Sequence, residues 1–422
     1  MRLPVLMLLL LAPTALAAQG EGRSQGALPV PLPERAAGLS DSARVSLLTM
    51  LPGREVYSLF GHSALRIADP ATGLDKTYNF GTFDFEQPFF VPRFVRGSLD
   101  YILATAPMAY ELERYVYLGR PIIEQRLALP PEVARALHAR LEVNALPEHR
   151  AYRYDFFFDN CSTRLLDVLD AALVETGRAP VALPAAPGVP TPTFRDALHP
   201  YLAADPLLRL GIDLALGLPA DRPMTRREES FLPLRLADLL DGARVDGRPL
   251  VAARDTLFWA RGAGLPPRAP DTPLLAALAL AALALAALAV RRFDRAGPRT
   301  RALAHGLTVA LFVVAGLTGL LLAFLWLGTA HTVTGPNLNL LWAWPTHLWA
   351  AFHLGRPTRA WRRYFGAAAV AHGTVLLLAA FLAQPLPAAI LPLVGLLALA
   401  AADAAVRPRR SARAALPVHE PA

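Results

Sequence analysis

The C-terminal part of the sequence alternates between long apolar runs and short polar segments. Apolar runs occupy about residues 274–290, 303–328, 338–354, 364–384 and 387–405. Each run is long enough, or nearly so, to cross the hydrocarbon layer of a bilayer as a helix, which is roughly 30 Å thick. The pattern predicts a membrane domain of five transmembrane helices over residues 263–406, followed by a basic cytoplasmic tail at 407–422.

The polar segments between the apolar runs alternate in charge. Arg291–Arg301, Arg356–Arg363 and Arg407–Arg413 are basic, whereas His331–Asn337 and the short segment after Gln384 contain no Lys or Arg. Loops rich in Lys and Arg remain in the cytoplasm. The neutral loops, and the chain that precedes the first run, are therefore predicted to face outward.

The N-terminus predicts the same orientation. Residues 1–17 contain Arg2, an apolar stretch and the small-residue sequence Ala15-Leu16-Ala17, which is typical of a cleaved signal peptide. The alternative is an uncleaved first transmembrane helix, and in either case the chain that follows is translocated. Residues 18–40 are rich in Gly, Pro, Ala and Ser and are predicted to form a linker.

Residues 41–262 combine strand and helix patterns and predict an α+β domain. Strands are expected at Ala43–Met50, Ser63–Ala68, Lys76–Gly81 and Ile122–Leu129, and helices at Pro130–Leu146 and Thr193–Leu202. The sequence Asp69-Pro70-Ala71-Thr72-Gly73 is a strong turn signal. A hairpin centred on this turn places His62 close to the level of Asn79–Gly81. The aromatic-rich segment Phe83–Tyr117 predicts either a domain core or an apolar surface against lipid or an acyl chain.

The segment Tyr152–Leu169 contains Cys161, the only cysteine of the protein. The first half of this segment alternates as a strand does, and the second half has leucines at helical spacing. Asn160 lies where an N-cap belongs, so Cys161 is predicted to begin a helix. The positive end of a helix favours thiolate over thiol, and its N–H groups could hold an oxyanion. The alternative is a buried, inert cysteine.

The composition favours a membrane protein. The chain has 422 residues, is 54% hydrophobic, carries a formal net charge of +8 and has a mean hydropathy of +0.34. Many arginines flank apolar runs near the C-terminus and do not form one continuous patch, so membrane topology explains the charge better than nucleic-acid binding does. A single cysteine excludes an intramolecular disulfide and a Cys-rich zinc site, and no cofactor is predicted.

A cysteine nucleophile needs a base, and histidine is the usual one. The soluble domain contains four histidines, which are His62, His138, His149 and His199. Only His62 combines a Gly-preceded strand start with a neighbouring strand able to orient its ring. Asn79 is the candidate for that orienting role, with Asp84 and Tyr78 as competitors.

Several motifs resemble the Lnb-type bacterial lipoprotein N-acyltransferases. Their N-terminal periplasmic domain is similar to this chain at Phe60–Arg66, Tyr78–Gly81 and Asp155–Arg164, and further similarity is found at Gly211–Asp213, Ala220–Arg222, Phe231–Pro233 and Thr334–Asn339. The resemblance covers about residues 40–405. It implies a circularly permuted papain-like (NlpC-type) domain on the periplasmic side of the bacterial inner membrane, followed by an all-α bundle of five transmembrane helices.

The resemblance implies Cys161 as the nucleophile and His62 as the general base. It implies transfer of an acyl group from a membrane phospholipid, through a thioester, to the N-terminus of a diacylglyceryl lipoprotein. The expected partners are thus the phospholipid donor, the lipoprotein acceptor and the membrane, without a cofactor and without nucleic acid. A cell-wall cysteine amidase or peptidase, or a non-enzymatic membrane assembly or transport protein, are the alternatives.

Further residues are candidates for substrate contacts. Asn160, Ser63 and Arg164 are predicted to bind substrate, and Arg164 and Arg66 could meet a lipid phosphate if they are not solvated surface charges. His331, Asn337 and Asn339 lie in or beside an outward loop and could line the path of a substrate, or serve ordinary loop and cap chemistry.

Overall fold

The computed structural model describes residues 38–83, 88–185, 188, 190–292, 297–355 and 357–406. The predicted signal peptide, most of the predicted linker, the basic tail and Asp84 lie outside the described residues. The chain divides into two compact units. Unit 1 runs to Pro270 and also includes Leu325–Pro336, and unit 2 comprises Asp271–Phe324 and the chain from Asn337 onward.

Unit 1 is built on a seven-stranded antiparallel sheet with the strand order β6-β4-β3-β2-β1-β5-β9. Its strands are β1 (Arg44–Met50), β2 (His62–Asp69), β3 (Leu74–Thr82), β4 (Asp100–Pro107), β5 (Ile122–Leu127), β6 (Ala151–Arg153) and β9 (Val251–Phe258). A separate ribbon consists of β7 (Arg244–Val245) and β8 (Arg248–Pro249). The sheet, together with the helices of unit 1, confirms the α+β prediction.

β2 and β3 form the predicted hairpin. Leu65 lies opposite Tyr78, and Asp69 lies opposite Leu74, so the turn is centred where the sequence places it. On its other side β2 pairs with β1, where His62 lies opposite Met50. His62 is therefore fixed at the start of a central strand.

Seven helices of unit 1 are described, and three of them, the third, fourth and seventh, share a buried core with the sheet. They are α1 (Phe90–Val95), α2 (Met108–Tyr117), α3 (Pro131–Ala145), α4 (Cys161–Glu175), α5 (Phe194–Leu198), α6 (Pro206–Ala215) and α7 (Pro233–Asp241). The leucines of α3 and α4 share a buried core with β2. The helix predicted at 193–202 is wrong in part, because α5 passes into a 3₁₀ turn at His199–Leu202. Pro200 in that turn has no N–H to continue an α-helix.

Unit 2 is helical. Its helices are α8 (Thr272–Arg292), α9 (Pro298–Leu327, which ends within unit 1), α10 (His347–His353), α11 (Arg359–Leu378) and α12 (Leu391–Val406). Among the described residues, three helices are long and apolar enough to cross a membrane, at Pro298–Leu327, Arg359–Phe381 and Ala388–Val406. The apolar helix Thr272–Ala286 is shorter. The prediction of five spans is therefore not confirmed.

The prediction of one membrane helix over 338–354 is wrong. The chain forms a 3₁₀ turn at Leu338–Leu341, and α10 begins only at His347. The Asn337 side chain accepts the N–H of Asn339 (3.0 Å), and the Asn339 side chain accepts the indole N–H of Trp342 (3.1 Å). Such local side-chain bonds compete with the helical pattern, and they explain why the apolar run does not continue as a helix.

The segment Leu325–Pro336 packs within unit 1. The N–H of Gly217 donates to the carbonyl of Val333 (2.8 Å), and the N–H of Leu218 donates to that of Pro336 (2.8 Å). The Thr332 hydroxyl donates to Asp155 Oδ2 (2.8 Å). A loop predicted to face outward is thus an integral part of the unit that contains Cys161.

Candidate active site

Cys161 is the first residue of α4, as the sequence predicts. Asn160 caps the helix, because its side-chain oxygen accepts the N–H groups of Ser162 (2.7 Å) and Thr163 (3.0 Å). The Thr163 hydroxyl in return accepts the N–H of Asn160 (2.8 Å). The cap fixes the cysteine at the helix start. It also occupies two N–H groups of the first turn, so these two do not hold an oxyanion.

His62 is oriented by a side chain from the neighbouring strand. Its Nε2–H donates to Asn79 Oδ1 (3.3 Å). The Asn79 amide is itself held, because its Nδ2 donates to Thr77 Oγ1 (3.3 Å) and Glu111 Oε1 (3.4 Å). With the proton on Nε2, the other ring nitrogen, Nδ1, is the basic one.

The start of α4 abuts the two strands that carry this histidine–asparagine pair. The Ser63 and Ser162 hydroxyl oxygens are hydrogen-bonded at 2.9 Å, and the Ser162 hydroxyl lies 3.9 Å from the sulfur of Cys161. A Cβ built on Gly81 would lie 3.5 Å from Cβ of Cys161, and the positive φ of Gly81 (87°) also favours glycine. The thiol therefore lies beside the residue that follows His62.

The pKa of Cys161 is shifted in the direction opposite to the one that the sequence predicts. Burial raises the pKa of Cys161 above its ordinary value, although the N–H groups of Ser63, Cys161 and Ser162 act in the opposite direction. Burial also lowers the pKa of His62 to about 4, helped by the charge of Arg120. The expected thiolate is thus wrong for the resting site, because loss of hydration outweighs the helix N-terminus. Both shifts favour a neutral thiol and a neutral imidazole.

The pH dependence of alkylation tests this charge state. Only the thiolate reacts with iodoacetamide, so we expect slow labelling of Cys161 at pH 6 to 7 and a rate that climbs through the alkaline range. A thiolate–imidazolium pair would instead label rapidly at pH 6. The measurement is mass spectrometry of the peptide that contains Cys161 after timed exposure. Glutathione in the same buffers provides the comparison for an ordinary thiol.

The other predicted substrate-binding residues are engaged by the protein. The Nδ2 of Asn160 donates to the carbonyls of Phe156 (2.7 Å) and Phe231 (2.8 Å), so all of its polar atoms serve the fold. The Ser63 hydroxyl is buried against Ser162. Arg164 donates to Asp159 Oδ2 (2.8 Å) and stacks on the Tyr152 ring at 3.6 Å.

The remaining candidates also have partners within their own units. Arg66 pairs with Asp75 (2.7 Å) and Glu124 (3.0 Å), and the Tyr78 hydroxyl donates to Glu142 (2.5 Å) and not to His62. His331 Nε2 bonds to the Val95 carbonyl (3.2 Å). Asn337 and Asn339 are buried in unit 2 and bond to each other.

Sequence reasoning missed two residues of the site. Glu111, on α2, is buried against Asn79, and burial raises the pKa of its carboxyl. The Ser162 hydroxyl lies 3.9 Å from the Cys161 sulfur. Ser162 could have been found because it follows the cysteine, whereas no local signal connects Glu111 with a strand 32 residues away.

Comparison with known protein families covers both units. The Lnb N-terminal periplasmic domain matches residues 36–197, and the Lnb transmembrane domain matches residues 268–406. The comparisons with curated proteins and with solved structures found no match. The papain-like topology therefore remains a prediction. The order of the two matched domains is that of the Lnb-type bacterial lipoprotein N-acyltransferases, and the chain belongs to this family as a membrane protein with a periplasmic N-terminal domain.

Proposed function

We propose that Cys161 carries an acyl group from a membrane phospholipid to the N-terminal amine of a diacylglyceryl lipoprotein. The observation that supports this most is the position of Cys161 at the capped start of α4, which contacts β2 beside His62, where Asn79 holds the imidazole. A neutral imidazole can accept a proton at neutral pH. Membership of the Lnb-type family supports lipoproteins and membrane lipids as the partners in general.

The first half-reaction forms the thioester. His62 Nδ1 takes the proton of the Cys161 thiol as the sulfur attacks the ester carbonyl of the phospholipid. The C–O bond breaks, and His62 returns the proton to the departing lysophospholipid oxygen. Because the thiol is neutral at rest, deprotonation and attack are coupled, and the raised pKa of Cys161 makes its thiolate a strong nucleophile once formed.

The second half-reaction releases the acyl group. The α-amino group of the lipoprotein attacks the thioester carbonyl, His62 accepts one of its protons, and the C–S bond breaks. The proton then returns to sulfur and restores the thiol. The cycle is ping-pong, and neither half-reaction requires an oxidant, a reductant or a metal.

Exposed apolar side chains on unit 1 support a lipid substrate. In the segment Phe83–Tyr117, Leu103 and Tyr115 are buried, as the prediction of a domain core requires. Phe89 and Tyr117, in contrast, are 79% and 89% exposed. Large exposed aromatics are typical of surfaces that meet lipid.

Trapping of the intermediate tests the proposal. Full-length protein in detergent is incubated with a phospholipid that carries labelled acyl chains, and we expect label on Cys161 that hydroxylamine removes. Addition of a synthetic diacylglyceryl peptide should move the label to the peptide amine. Cys161→Ser is the control for the site of attachment.

The same experiment separates the alternatives. Label that passes to water and not to the peptide would indicate a lipase. Absence of label from phospholipid, together with cleavage of peptidoglycan fragments, would indicate the cell-wall amidase or peptidase. Absence of both activities would favour the non-enzymatic assembly protein.

A further inference from the structure

Arg120 lies at the same end of the sheet as His62. It follows α2 and precedes β5, and its Nε–H donates to the Leu51 carbonyl (3.0 Å). The N–H of Leu51 donates to the Pro121 carbonyl (3.0 Å). Leu51 directly follows Met50, which lies opposite His62. Arg120 is thus anchored beside the end of β1, one strand away from the catalytic histidine.

The guanidinium of Arg120 is a partly buried cation for which the described residues provide no carboxylate partner. Its Nη2 is buried and has no hydrogen-bond partner, and no described carboxylate forms an ion pair with it. The group stacks on the Tyr115 ring at 5.0 Å. A Cβ on Gly53 would lie 3.2 Å from its Cδ, so the side chain is confined. A charge that is held partly away from water without a partner is destabilising, and an anionic ligand would remove that cost.

The positive charge of Arg120 acts electrostatically on His62. It helps to lower the pKa of His62, and burial lowers the pKa of the arginine itself. Arg114, on the preceding helix α2, offers a contrast. It stacks on Tyr115 at 5.5 Å but has a carboxylate neighbour, Glu111, at 3.8 Å. Unlike Arg114, Arg120 has no carboxylate partner among the described residues.

We infer that Arg120 binds the phosphodiester of the phospholipid acyl donor and so positions its ester carbonyl at Cys161. This inference rests on the proposed function. The phosphate of a glycerophospholipid is a few bonds from its acyl esters, which suits a cation close to the nucleophile. Arginine is suited to phosphate because its N–H groups match two phosphate oxygens.

The surface next to Arg120 fits the rest of such a ligand. Val56 and Tyr57 are 62% and 68% exposed, and Tyr57 is close enough for its charge state to affect the pKa of Arg120. Val116 and Tyr117, at the end of α2, are also exposed. A partly buried cation close to exposed apolar side chains matches the amphipathic chemistry of a phospholipid, in which a charged group adjoins acyl chains.

The test compares two acyl donors on full-length protein in detergent. One is a short-chain phosphatidylglycerol, and the other is a p-nitrophenyl ester with the same acyl chain and no phosphate. Acylation of Cys161 is measured by mass spectrometry for wild type, Arg120→Gln, Arg120→Lys and the matched control Arg114→Gln. We expect Arg120→Gln to raise KM and to lower kcat/KM for the phospholipid by roughly 10- to 100-fold, the range for a hydrogen bond to a charged group.

Reaction with the phosphate-free ester should change by less than about 3-fold in Arg120→Gln, and Arg120→Lys should recover part of the loss. Arg114→Gln should affect both donors equally. Equal loss with both donors, or no loss with either, would overturn the inference and assign Arg120 to the pKa of His62 or to the fold. If wild type accepts the ester but never the phospholipid, the proposed function itself fails.

Discussion

Cys161→Ser is expected to leave bacterial lipoproteins without their N-terminal acyl group when it is the only N-acyltransferase in the cell. We expect the rate to fall by about three orders of magnitude or more, because a serine hydroxyl is a much weaker acid than a thiol and the weakly basic imidazole of His62 does not activate it. The measurement is mass spectrometry of lipoprotein N-termini, which should carry the diacylglyceryl group with a free amine.

Two histidine variants complete this prediction. His62→Ala should resemble Cys161→Ser, because it removes the proposed base, whereas His149→Ala changes an exposed histidine and should retain full N-acylation. Asn79→Ala should retain part of the activity, since it frees the imidazole ring without removing it. Wild-type N-acylation by Cys161→Ser or His62→Ala would refute the proposed mechanism.

Arg195→Met is expected to destabilise unit 1 more than any surface substitution. The Arg195 side chain is 4% exposed and forms a two-pronged ion pair with Asp221, with bonds of 2.7 and 2.9 Å. It also donates to the carbonyls of Asp213 (2.6 Å) and Leu216 (3.0 Å). Removal of one partner of a buried ion pair lowers the free energy of unfolding by about 3–5 kcal/mol, because the other charge stays buried without a partner.

For a unit of this size, that loss corresponds to a fall of about 6–20 °C in the melting temperature. Intrinsic fluorescence of the full-length protein in detergent during heating measures the change. The matched control is Arg140→Met, which breaks an exposed pair with Glu175 (2.7 Å) and should shift the melting temperature by little. Equal shifts in the two variants would show that the buried network contributes no more than a surface pair.

The Arg195 network also explains motifs that the sequence leaves unassigned. Asp213 and Asp221 belong to two of the segments that resemble the Lnb-type family, and both contact Arg195. His199 Nε2 bonds to Asp213 as well (2.9 Å). These residues hold α5, α6 and the 3₁₀ turn Leu218–Asp221 together, so their role is structural. Their separation along the chain concealed this role.

The sequence by itself determined the features that depend on neighbours along the chain. The start of α4 at Cys161 follows from a cap whose donors and acceptor lie within three residues. The register of the hairpin follows from one turn signal, and it brings His62 within reach of Asn79. The outward orientation of the N-terminal domain is predicted from the order of basic and neutral segments along the chain.

Only the tertiary structure decided the features that depend on burial. The helix start predicts an acidic thiol, but the packing around Cys161 removes water and raises its pKa. The contact of Glu111 with Asn79 and the unpaired guanidinium of Arg120 arise where α2 and the chain that follows it meet the sheet. Hydration and long-range contacts are properties of the folded chain, because they are set by residues distant in sequence that converge only after folding.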